Sequence, residues 1–193
     1  MIERIISHFN ESARLKLDLA ELLAPAIANA AELLLQCVLR DGMVLSCGNG
    51  GSAAVAQHFS TLMTSRFELD RPGLAALALS TDTSKITAIA NDFAFEHVFA
   101  RQVSALGHQD DVLLALSTSG NSANIIAAAD AARGRDMAII ALTGYDGGKL
   151  AEQLSSRDVL ICVPAESAAR IQEIHLLTIH CLCDALDNAL LGV

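Results

Sequence analysis

The sequence predicts an α/β fold: a three-layer sandwich with a central, mainly parallel sheet of about five strands, N-terminal helices and a long C-terminal helix. Three observations predict it. Short apolar runs at 43–48, 74–80, 111–117, 136–144 and 158–164 are nearly continuous rather than alternating, as in strands buried on both faces. Segments with apolar residues at helical spacing separate them. Several runs stop at loops rich in glycine or hydroxyl groups, and right-handed crossovers would place those loops along one edge of the sheet, where ligands bind in open α/β folds.

Residues 1 to about 40 read as two helices. Ile2, Ile5, Ile6 and Phe9 recur at helical spacing, as do Leu15, Leu19, Leu22 and Leu23; Pro25 interrupts, and Ala26 to Leu39 resumes. Asp41-Gly42 is a turn. MVLSCG is a strand ending at a Gly-rich loop, and SAAVAQHFSTLMTSRF beyond it is a helix. LAALALS is a strand, and TDTSKITAIAND leads into a helix. DVLLALS is a strand, STSGNS a loop and ANIIAAADAARGR a helix. DMAIIALTG is a strand, YDGG a turn and KLAEQL a short helix; DVLICVP is the last strand. Ala168 to Leu191 reads as one long helix, so apolar around its circumference that it is expected to be buried in the core or between subunits, with Leu190 to Val193 frayed.

The 193 residues fit a single domain, 1–193, with 1–40 as a helical N-terminal extension used for oligomer packing. Hydrophobic residues make up 52% and charged residues only 18%, which suggests surface buried against further copies of the chain. A net charge of −9, 4% aromatics and no Trp disfavour direct nucleic-acid binding. The charged N-terminus does not resemble a signal peptide. No stretch is expected to reach the roughly 18 apolar residues that span a bilayer. The expectation is therefore a cytoplasmic protein without membrane contact. Five scattered cysteines, Cys37, Cys47, Cys162, Cys181 and Cys183, read as reduced and mostly buried thiols.

Two loops carry the chemistry. In Cys47-Gly48-Asn49-Gly50-Gly51-Ser52 the glycines let the backbone approach a ligand, and a helix N-terminus follows, which favours an anion. The spacing is neither a Walker loop nor GxGxxG, and a tight turn with Ser52 as helix cap is the plain alternative. In Ser117-Thr118-Ser119-Gly120-Asn121-Ser122, four hydroxyls cluster at a strand end without Lys or Arg, which suits the phosphomonoester of a small molecule. Ser122 as a mere cap would leave the other three hydroxyls unexplained.

The string LLALSTSGNSANII resembles the phosphate-binding signature of sugar isomerase (SIS) domains, and VLSCGNGGSAA, AIAND and ARIQEIH resemble motifs of the phosphoheptose isomerase branch. The resemblance covers essentially the whole chain. It implies that Ser117, Thr118, Ser119 and Ser122 hold a phosphate and that Asn49, Gly50, Gly51, Ser52 and Gln172 hold the sugar. Arg66, Asn91 and Asp92 become further sugar contacts; the plain alternatives are a solvated charge and a turn. It also implies a homotetramer.

The same resemblance exposes a departure. Isomerases of this family look to place a glutamate four residues after a histidine, in a pattern like H-F-x-x-E, so that both point from one helix face into the site. Here the string is His58-Phe59-Ser60-Thr61-Leu62, and Leu62 cannot accept a proton. Gln172 and His180 match the remaining catalytic and metal positions. His58, Gln172 and His180 are thus the implied metal residues, and without an anionic ligand they are expected to hold zinc weakly or not at all. His175 and His180 have a plain alternative as packing histidines.

Loss of the base with retention of the cradle suggests a fold reused for binding. SRFELDRP, ALTGYDGG and LLTIHCLCDALDNALL resemble the family's branch of DnaA initiator-associating proteins. The expectation is therefore a non-catalytic homotetramer that binds the replication initiator DnaA and a phosphorylated sugar, with Leu190 and Leu191 as a docking patch. The alternatives are an isomerase acting on sedoheptulose 7-phosphate, with His180 as candidate catalytic residue, and a phosphosugar-sensing regulator.

Overall fold

The structure is a computed structural model that describes residues 1–192. Among these, the order of elements is α1 (Ile2–Leu39), β1 (Val44–Gly48), α2 (Gly51–Thr64), β2 (Ala76–Ala78), α3 (Thr83–Asp92), a 3-10 turn (Phe95–His97), α4 (Ala100–Leu106), β3 (Val112–Ser117), α5 (Ala123–Arg133), β4 (Ala138–Gly144), α6 (Gly148–Gln153), β5 (Val159–Val163) and α7 (Ala168–Leu191). The sheet order is β2-β1-β3-β4-β5, and every pairing is parallel. The chain leaves β1 for β2 on one side and returns to β3 on the other. The switch in winding therefore lies between β1 and β3, where an open α/β sheet forms its ligand crevice.

Alternation along the strands sorts the core into two layers. Val112, Leu114 and Leu116 of β3 face the layer built with α1, α2 and α7, where Leu34, Phe59, Ile171 and Leu182 are fully buried or nearly so. Leu113 and Ala115 face the opposite layer with Val103 of α4, Ile125 of α5 and Leu150 of α6. Both faces of the sheet are covered, which is why the strand runs carry almost no polar residues.

Several expectations are corrected. The N-terminal segment is one helix, with Pro25 inside it. Leu19, Leu23, Ala30 and Leu34 on either side of the proline join one buried stripe, and that packing holds the helix across the missing N–H. The stretch after Asp92 contains the 3-10 turn and α4, which the sequence reading passed over; their Val98, Phe99 and Val103 are buried. Strand β2 shrinks to three residues at the sheet edge. Of the tail expected to fray, Leu190 and Leu191 continue α7 and Gly192 closes it in the left-handed conformation (φ 70°), donating its N–H to Asn188 O; Val193 lies outside the described residues. Ser52 is not the cap of α2, because the helix begins at Gly51 with Gly50 as cap. Finally, α1 and α7 are long and apolar enough, by length and composition, to cross a membrane, contrary to expectation. In this fold only part of those apolar residues is buried, where the two helices pack on each other and on the sheet; others, among them Ile2, Phe9 and Leu177, are exposed.

Candidate active site

The hydroxyl loop follows β3. Ser117 ends the strand and is 4% exposed; its hydroxyl donates to the Ser122 hydroxyl at 3.2 Å. Ser122 occupies the cap position of α5, yet its side chain makes no capping bond, so the opening N–H groups of that helix keep their capacity for an anion. Asn121 shapes the loop: its N–H donates to Ser119 Oγ, its Nδ2 to Ser119 O, and its Oδ1 accepts from the Lys149 N–H. Gly120 (φ 64°) is packed against the Gly147 carbonyl, where a Cβ would collide, and its own carbonyl accepts from the Leu150 N–H. The cradle is therefore locked onto the start of α6.

The Gly-rich loop follows β1, beside β3 at the winding switch; Gly48 is in register with Leu116. Gly50 has φ 53°, which favours glycine. Gly51 lies against the Gln172 carboxamide, which a side chain at 51 would displace. The Asn49 and Asn124 side chains bond reciprocally, each Nδ2 donating to the other Oδ1 at 2.8 Å. Asn124 belongs to the first turn of α5, so the two loops are joined.

Helices α2 and α7 touch at Gly51–Gln172 and again, two turns further along each, at His58–His180. There the Nε2 atoms are 3.1 Å apart, the rings meet edge to face at 76°, and Phe67 lies 5.7 Å from His180. Burial, then the neighbouring His58, lowers the pKa of His180, which favours its neutral form. Among the described residues no third His, Cys, Asp or Glu joins the pair. Two imidazoles without an anionic partner do not fit the donor set of a zinc site.

The remaining predicted residues divide. Thr118 and Ser119 are half-buried in the cradle, and Ser52 is buried beneath the Gly-rich loop. Leu62 is half-buried one turn beyond His58 and packs on the core. Arg66 is exposed just past α2, next to the Phe67 that lies beside His180, and Asn91 and Asp92 are exposed at the end of α3, bonded to each other. Asn91-Asp92 is thus a helix end, not a turn. Leu190 is half-buried and Leu191 exposed. Cys37, Cys47 and Cys183 are buried, Cys162 is intermediate and Cys181 exposed, and all are free. His175 is fully buried, its Nε2–H donating to Thr143 O at 2.9 Å, as a packing histidine would be.

Sequence reasoning missed Asn121 and Asn124. Both lie within the quoted signature, and the visible signal for Asn124 was one amide in the otherwise apolar opening of a helix. It also missed the buried Arg71–Asp187 pair, in which the guanidinium additionally donates to the Leu62 and Met63 carbonyls at the end of α2.

Comparison with known proteins places this geometry. A family model described as the SIS domain matches residues 7–144. The phosphoheptose isomerase of Thiobacillus denitrificans is 64% identical over 191 residues, 99% of this chain and 97% of its own, and that of Aromatoleum aromaticum 58% over 193 residues, 100% and 98%. The structure of phosphoheptose isomerase from Neisseria gonorrhoeae superposes with a TM-score of 0.92 at 55% identity, covering 96% of this chain and 98% of that one. The Francisella tularensis phosphoheptose isomerase gives 0.94 at 44%, covering 97% and 98%. These findings overturn the expected non-catalytic partner of DnaA: the relatives named above, matched along nearly the full length, are phosphoheptose isomerases. The docking role given to Leu190 and Leu191 rested on that partner and falls with it. The chain belongs to the phosphoheptose isomerase family of SIS-domain proteins.

Proposed function

We propose that this protein is a ketose–aldose isomerase that converts sedoheptulose 7-phosphate to D-glycero-D-manno-heptose 7-phosphate. The observation that carries the reading is the His58–His180 pair, set two turns along α2 and α7 from the loop that Gln172 covers. The full-length likeness to phosphoheptose isomerases supplies the substrate.

Isomerisation moves a proton between adjacent carbons and shifts another between their oxygens, so it needs a base and an acid together. The paired imidazoles offer both. At 3.1 Å between Nε2 atoms, one neutral ring donates and the other accepts. The donor ring is left with a bare Nδ1, a base; the acceptor ring carries its proton on Nδ1, an acid. One proton taken up at the first Nδ1 and one released at the second passes through the shared bond. Leu62 takes no part. Ser117, Thr118, Ser119 and Ser122 hold the phosphate, and Asn49, Gly50, Gly51, Ser52 and Gln172 the sugar. Arg66, Asn91 and Asp92, exposed at the ends of α2 and α3, are further sugar contacts in a homotetramer, where a site can draw on an adjoining copy. The N-terminal 40 residues serve that assembly, and the setting is the cytoplasm.

Replacing either histidine tests the proton chemistry. His180→Gln or His58→Gln lowers kcat by about 10²–10⁴ with an unchanged melting temperature. Wild-type turnover in both variants would exclude the pair as the proton carrier.

A further inference from the structure

We propose that Asn124 is a positioning residue: it holds the Asn49 amide in place for the sugar and ties the Gly-rich loop to the phosphate cradle. The proposal rests on the isomerase reading above and adds to it a residue that the fold places behind the site.

Asn124 is 3% exposed, so its polar side chain is committed inside the protein. Among the described residues its one side-chain partner is Asn49, through two reciprocal bonds of 2.8 Å. Two amides joined in this way form a closed ring. Turning one over alone would set oxygen against oxygen and N–H against N–H, so the pair holds the two amides in a fixed orientation relative to each other and coplanar with the ring. Each amide keeps one further N–H and one further lone pair. Those of Asn124 are enclosed; Asn49 is half-buried, and its remaining groups can meet a sugar hydroxyl.

Position supplies the second part. Asn124 follows Ser122 by two residues, and Ser122 is bonded to Ser117, so the phosphate cradle and the amide ring share one turn of α5. Asn49 sits next to Gly50 and Gly51, which have no side chains to hold the loop. The loop therefore takes its setting from α5, and a sugar phosphate gripped at the cradle meets Asn49 at a fixed distance and orientation. Inorganic phosphate, which reaches only the cradle, gains nothing from the ring.

Calorimetric titration of the full chain with inorganic phosphate and with sedoheptulose 7-phosphate tests this in native protein, Asn124→Ala, Asn49→Ala and the double variant. Asn124→Ser, tolerated in the first turn of a helix, replaces the alanine variant if that one fails to fold. The expected result is unchanged phosphate affinity in every variant. Affinity for the sugar phosphate falls about tenfold, the worth of one good hydrogen bond, in either single variant, and no further in the double. Three results overturn the proposal: an unchanged ratio of the two affinities in the Asn124 variant, a parallel loss of both ligands, or losses that multiply in the double variant. A native chain that prefers sedoheptulose 7-phosphate no more than phosphate would instead refute the isomerase reading, and the proposal with it.

Discussion

His175 and His180 lie five residues apart on α7 and have different tasks. His180 faces another imidazole at the site, whereas His175 is sealed in the core, its Nε2–H held by the Thr143 carbonyl and its Nδ1 without a partner. Burial drives the His175 pKa down to about 4, against a smaller opposing effect of that hydrogen bond. The folded value lies below the unfolded one near 6.5, so the unfolded chain binds the extra proton first. Stability is full above about pH 6.5 and falls as pH drops toward 4, by roughly 3 kcal/mol across the window. Urea midpoints at pH 7 and pH 5 should show this loss in the native chain, and a His175→Gln variant should show much less of it. An equal pH dependence in both would place the titration elsewhere.

The sequence displayed some of these residues and hid others for a physical reason. Four hydroxyls in six residues, or three glycines in four, exceed what a turn or a cap needs, so both loops stood out as loops at the sheet's ligand edge. Asn124 was not, because a lone amide in a helix looks the same whether it faces water or closes a ring with a residue 75 positions away. Leu62 misled in the other direction. One missing carboxylate was weighed above the rest of the chain, although His58 and His180, the proposed proton carriers, were both in place.

At the scale of elements, strands and long helices were readable because burial on both faces leaves continuous apolar runs. Pro25 was misread as a break, since local propensity does not register the packing of α1 on both sides of it. The span from Phe95 to Leu106 escaped because its buried residues are few and short-spaced. Tertiary pairing was least visible of all. Arg71 and Asp187 are 1% and 4% exposed as side chains and join the segment after α2 to the last turns of α7. Removing one member leaves an uncompensated buried charge. Arg71→Ala should therefore lower stability by about 3–5 kcal/mol, while Arg71→Met with Asp187→Leu should recover most of it. Chemical denaturation of the native chain and the two variants reads this directly; a single variant within about 1 kcal/mol of native would mean that water reaches the site.

For the whole molecule, the exposed apolar surface is the informative feature. Ile2, Ile5, Ile6, Phe9, Leu17 and Leu22 of α1 are exposed, as is Leu177 of α7, and an apolar groove of about 390 Å³ runs between the two helices. Further copies of the chain would cover that surface, in keeping with the proposed tetramer. Sedimentation should give four chains for the native protein and a smaller species for Leu177→Asp, which puts a charge at the groove. A native monomer would contradict that assembly.

The central claim is that the chain isomerises a heptose phosphate although Leu62 stands where the family pattern has a glutamate. The most direct test is turnover of sedoheptulose 7-phosphate by the native chain, with Leu62→Glu measured beside it. Native turnover at an ordinary enzymatic rate of about 1–10³ per second is expected, lowered by about 10²–10⁴ in His180→Gln. No native turnover, with activity appearing only in Leu62→Glu, would contradict the claim.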